Sequence, residues 1–122
     1  MTKDSQRKHP RFRSLNLLAY VCIDENQDVV RQGMGRTLDV SEGGILLETH
    51  APIALQHTIS LTIGLEDDVT EIDGRAVYCR PGAPGKYESG IAFYGNNEAG
   101  LRVLRKYIKA FAEQKGQKQM AP

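Results

Sequence analysis

A chain of 122 residues, 40% hydrophobic and 25% charged, fits one globular domain around one core and excludes a disordered or membrane-embedded class. A net charge of +1 excludes a global basic field of the kind that gathers nucleic acid. Cys22 and Cys79 lie far apart with no metal-ligand spacing, which argues against zinc; each sits in an apolar run as a small hydrophobe, suiting a reducing compartment, although two cysteines can also pair.

Residues 1–14 lack periodicity and carry Pro10. Lys3, Arg7, Lys8, Arg11 and Arg13 face only Asp4 there, so the segment reads as a mobile arm, either simply solvated or suited to an anionic partner. It is too polar for a signal peptide, and the longest apolar run, Leu17 to Ile23, is too short to span a bilayer. A cytoplasmic protein without an integral membrane segment is expected.

From Leu15 the pattern turns strand-like. Leu15, Leu17, Ala19, Val21 and Ile23 share one face, with Tyr20 and Cys22 on the other. A polar turn at residues 24–28 leads to a second strand over Val29 to Asp39, and a third covers Ile45 to Thr49. In the fourth, Ile59, Leu61, Ile63 and Leu65 alternate with Thr58, Ser60, Thr62 and Gly64, the two-residue period of a half-buried strand. The fifth spans Val69 to Arg80, with Ile72, Ala76 and Tyr78 assigned to one face. After a loop at residues 81–85, the sixth runs from Tyr87 to Tyr94.

Then the period changes. Asn96-Asn97 supplies an N-cap region, and Glu98 suits the positive helix end. Leu101, Leu104, Ile108 and Phe111 mark one helical face, widened by Val103 and Tyr107. The helix is expected over 96–115, ending before Gly116, with residues 116–122 as a tail. The fold class is therefore all-β with one C-terminal helix: a six-stranded antiparallel barrel over residues 15–95 plus an appended helix.

Catalysis finds little support. His9, His50 and His57 belong to no nucleophile, base or metal motif, and Ser41 is not in a nucleophile elbow. Not an enzyme is the reading. Binding finds more. Arg7 and Arg11 offer planar forks that grip phosphate oxygens or guanine acceptors. Asp39 can accept from guanine N–H groups, Ser41 can donate or accept, and Gly43 and Gly44 let a flat group lie against bare backbone. Each half has a bland reading, as a solvated tail and as a plain turn.

The two halves together, Arg7-Lys8-His9-Pro10-Arg11 and Asp39-Val40-Ser41-Glu42-Gly43-Gly44, resemble the PilZ domain family, whose pattern is RxxxR followed by (D/N)xSxxG. Glu48-Thr49-His50-Ala51-Pro52 and Ser89-Gly90-Ile91-Ala92-Phe93 extend the likeness, which covers about residues 7 to 112. The resemblance implies a six-stranded barrel that binds the bacterial second messenger cyclic diguanylate (c-di-GMP), with no other cofactor. It assigns Arg7 and Arg11 as clamps on phosphate and base, and Asp39, Ser41, Gly43 and Gly44 as the barrel-side surface. The ligand binds as one molecule or as a stacked pair, a choice tied partly to the residue before RxxxR, here Gln6.

The chain shows almost nothing outside this domain, so an adaptor is expected. Ligand would order the arm, and an unidentified effector protein would read the result. The alternative is a PilZ-fold interaction module that no longer binds nucleotide. No nucleic-acid partner is expected, and monomer and homodimer both stay open.

Overall fold

The structure, a computed structural model, describes residues 17–65 and 67–120, with side chains through residue 114. The expected arm, including Arg7 and Arg11, lies outside the described residues, as do residues 15 and 16. Six strands and one helix run in order: β1 (Leu17–Ile23), β2 (Val29–Val40), β3 (Gly44–Thr49), β4 (Thr58–Leu65), β5 (Asp68–Pro81), β6 (Tyr87–Phe93) and α1 (Glu98–Met120). All strand pairs are antiparallel, and they close a barrel in the order β1-β2-β3-β6-β5-β4.

β4 sets the inside of the barrel. Ile59, Leu61 and Ile63 are fully buried, as their alternation demands. Residues opposite one another in a sheet share a face, so β4 dictates the parity of its neighbours. Tyr20 pairs with Leu61 and Cys22 with Ile59, and these two point inward with Leu18. Ala19 pairs with Thr62 and Val21 with Ser60, so the face headed by Leu17 points outward. The sequence puts apolar residues on both faces of β1, so its own alternation does not distinguish core from surface.

One end of the barrel is covered by α1. Asn97 caps it: its Oδ1 accepts from the Gly100 N–H at 2.8 Å. Leu104, Tyr107 and Phe111 form its buried stripe, with Leu101 and Ile108 half-buried beside it. The helix continues through Gly116 to Met120 rather than stopping before Gly116. A single glycine costs a helix only about 1 kcal/mol relative to alanine, and lysines and glutamines, good helix formers, flank it. Cys22 and Cys79 are both free thiols. Burial pushes the Cys22 thiol up, and the charge of Arg31 opposes that only in part.

Candidate functional site

Two β-bulges shape the outside of the barrel. On β2, Thr37 pairs with Leu47 and Asp39 with Leu46, which leaves Leu38 as an extra residue. On β5, Ala76 pairs with Ile91 and Tyr78 with Gly90, which leaves Val77 extra. An extra residue switches the face of every residue after it. Thr37 and Ala76 point inward and are buried, whereas Asp39 and Tyr78 point outward and are exposed. Tyr78 therefore does not share the face of Ile72 and Ala76, as simple alternation predicts. The register then lines up one outward row across four strands: Asp39, Leu46, Gly90 and Tyr78.

The corner between β2 and β3 is tied by its own polar groups. The Ser41 N–H donates to the Gly44 carbonyl at 2.8 Å, and the Gly43 N–H donates to Ser41 Oγ at 3.3 Å. Asp39 Oδ1 accepts from the Val40 N–H at 3.0 Å, while its Oδ2 has no hydrogen-bond partner among the described residues. The corner is locked to β6, where the Phe93 N–H donates to the Gly43 carbonyl at 3.0 Å.

The two glycines serve different ends. Neither has a positive φ, so neither is there for left-handed backbone. A Cβ on Gly44 would run into the Ile91 carbonyl oxygen, so glycine is what lets β3 approach β6. Among the described residues, a Cβ on Gly43 would meet nothing closer than Ser41 Oγ at 4.0 Å, so its bare backbone is uncovered by them.

These residues line one shallow groove of about 300 Å³ on the barrel wall. Asp39, Ser41, Gly43 and Gly44 all border it; Arg7 and Arg11 lie outside the described residues. The opposite wall was not legible in the sequence: Val77 and Tyr78 form it, with Gly90 as floor. The Tyr78 ring lies against Gly90, where an added Cβ would meet its Cζ at 2.8 Å. Arg80 covers the ring at 5.2 Å from the centroid and binds Glu88 at 3.2 Å. The only signal was Gly90 itself, a strand glycine marking close approach of another group.

The corner also reaches the helix. Glu42, at its tip, lies 3.6 Å from Arg105, which donates to Glu98 at 3.1 Å. Two residues before Asp39, Thr37 Oγ1 shares a buried 2.9 Å hydrogen bond with the Tyr107 hydroxyl. Burial pushes the Tyr107 phenol up, and the bond to Thr37 opposes that shift. Among the described residues no cluster of His, Cys, Asp and Glu could hold a metal ion, and no helix is long and apolar enough to cross a membrane.

Comparison with known proteins adds three findings. The family model described as "PilZ domain" matches residues 5–110. Among solved structures, the fold is similar to "Structure of K. pneumonia MrkH in its apo state", with a TM-score of 0.55 and 17% sequence identity. That match covers 83% of this chain and 49% of the MrkH chain, so this chain spans about half the length of that neighbour. No curated protein sequence matches.

Proposed function

The chain belongs to the PilZ domain family, a family of c-di-GMP receptors, and on that premise we propose that the outer groove binds c-di-GMP and that the bound form contacts an effector protein. PilZ domains are typically receptors rather than enzymes.

The observation that supports this reading most is the make-up of the groove. An outward carboxylate with a spare oxygen, a hydroxyl and an open glycine backbone meet on one side. An aromatic wall stands on the other. A guanine needs an acceptor for its N–H groups, a close backbone and a flat apolar contact. In this reading Asp39 accepts from the guanine edge, Ser41 and Gly43 approach the base and its phosphate, and Tyr78 supplies the apolar wall. A groove of about 300 Å³ lies at the small end of ligand sites, enough for one base rather than the whole dinucleotide.

The remainder of the ligand is left to the arm. Arg7 and Arg11 bring two fixed positive charges to a ligand with two phosphates, and charge-assisted bonds of this type are the strong ones. Ordering an arm costs conformational entropy, which those bonds must exceed. A partner would then read the arm and corner together.

The decisive experiment is a calorimetric titration of the full chain with c-di-GMP, with GTP and cyclic GMP as controls. Saturable heat with c-di-GMP alone is expected, together with slower amide exchange across residues 5–13. Absence of binding rejects the receptor reading and leaves a PilZ-fold interaction module.

A further inference from the structure

We propose that the free edge of β2 between Arg31 and Gly35, with the cleft beside it, docks an extended segment of a partner protein that carries apolar residues and a carboxylate. The segment joins the sheet as an added strand. The site shares no residue with the groove and requires no nucleotide.

The edge follows from the register. β2 is paired with β1 from Val29 to Arg36, but with β3 only from Arg36 to Val40. β3 ends at Thr49, and the chain then departs towards Thr58 without a strand. Among the described residues, no strand other than β1 has a paired partner from Val30 to Gly35, and no turn or loop backbone hydrogen bond reaches them. A strand sends its N–H and C=O groups alternately to both sides, so among the described residues the side away from β1 is unspent. By contrast, the Ile53 N–H crosses towards β5 and donates to Cys79 Sγ.

The edge also lacks most of the devices that blunt such edges. No proline or lysine occurs from Val29 to Gly35. A bulge sits at its start, where Arg31 opposes Cys22 and Val29 opposes Ile23, leaving Arg31 to Gly35 regular. Val29 to Met34 are all exposed, and Val30 and Met34 stay about half accessible, at 47% and 55%.

The neighbourhood defines the occupant. A cleft of about 150 Å³ opens between this edge and the β3–β4 connection. Val30, Pro52, Ile53 and Ala54 give it apolar walls, and Arg31 and His57 add polar ones. A cavity of that size holds a benzene-sized group, which is one medium side chain. Arg31 has no ion-pair partner among the described residues, and Arg36 and Lys86 share the one carboxylate of Glu48. Arg31, left without an ion-pair partner there, favours an acidic residue in the incoming strand. Main-chain bonds would hold the segment, and the cleft and Arg31 would select it.

The test is a displayed random-peptide library selected on the full-length chain, with enriched peptides synthesised and titrated by fluorescence anisotropy. Enriched peptides should combine apolar residues with an acidic one. Their binding should slow alternate amides between Arg31 and Gly35. Arg31→Glu and Ala54→Trp, both at exposed positions, should each weaken binding by about tenfold or more without lowering the unfolding temperature. Three results overturn the proposal: no enrichment, peptides indifferent to both variants, or a dimer in sedimentation that already protects those amides without peptide. None of these bears on c-di-GMP titration, so this site and the groove fail separately.

Discussion

β4 and β5 run side by side in unbroken register from Thr58–Arg75 to Leu65–Asp68, yet they behave differently. β4 alternates without interruption and buries Ile59, Leu61 and Ile63 completely. β5 alternates through Ile72, Gly74 and Ala76, then bulges at Val77 and turns Tyr78 outward. β2 does the same at Leu38 and turns Asp39 outward. Regular strand closes the barrel, and interrupted strand displays residues. Substitutions on the two kinds of strand should therefore separate stability from binding.

The largest effect is expected on the regular side. Leu61→Ala should cost about 2–5 kcal/mol of stability, the range for emptying a core leucine site, measured by urea denaturation. Protein that remains folded should keep its nucleotide affinity. Comparable losses of stability from Leu61→Ala and Asp39→Ala would erase the distinction.

On the interrupted side the order reverses. Asp39→Ala should leave stability within about 0.5 kcal/mol, as for other exposed positions. It should weaken c-di-GMP binding by about 1.5–3 kcal/mol, the range for hydrogen bonds to charged groups, and Arg7→Ala and Arg11→Ala should do the same in calorimetry. Ser41→Ala should cost less, because that hydroxyl is already engaged by the Gly43 N–H.

The two glycines sharpen the contrast within a single turn. Gly44→Ala drives a methyl into the Ile91 carbonyl and should destabilise the fold by about 1–3 kcal/mol, as overpacking does. Gly43→Ala has room among the described residues and should leave the unfolding temperature unchanged while weakening c-di-GMP. If both variants unfold like the parent, the assignment of Gly44 to strand approach is wrong. Tyr78→Ala comes next, with a loss of about 1 kcal/mol of binding, typical of an aromatic contact.

The same division explains what the sequence disclosed. The strand set, its antiparallel closure and the helix were legible because periodicity is local and β4 carries it cleanly. Asp39, Ser41, Gly43 and Gly44 were legible as neighbours because they are contiguous, so one turn brings them together. The far wall was not, because a bulge is a property of a strand pair. Nothing in Ala76-Val77-Tyr78 announces that Ile91 and Gly90 will oppose only Ala76 and Tyr78. Which face of β1 is inside was not legible for a related reason: with apolar residues on both faces, only its pairing with β4 decides.

The smallest expected effect compares two carboxylates. Asp39 is outward, exposed and half unpaired. Glu48 stands on the regular part of β3 and is only 7% exposed, held by Arg36 Nε at 2.9 Å with Lys86 at 3.8 Å. The hydrogen bond from Arg36 lowers the Glu48 carboxyl below its ordinary range, burial opposes this, and the charges of Arg36, Lys86 and His50 reinforce it. A carboxyl lowered by folding adds stability above the ordinary carboxylate value of 4.5 and loses it as pH falls through the lowered value. Glu48→Gln should therefore cost about 1 kcal/mol near neutral pH, the upper range for a partly exposed ion pair. That deficit should shrink in acid, as followed by thermal unfolding across a pH series. Nucleotide affinity should not change, because this carboxylate is spent on the sheet whereas that of Asp39 is not. A deficit that persists unchanged in acid would mean that Glu48 acts through packing, and the charge contrast between the two residues would fall.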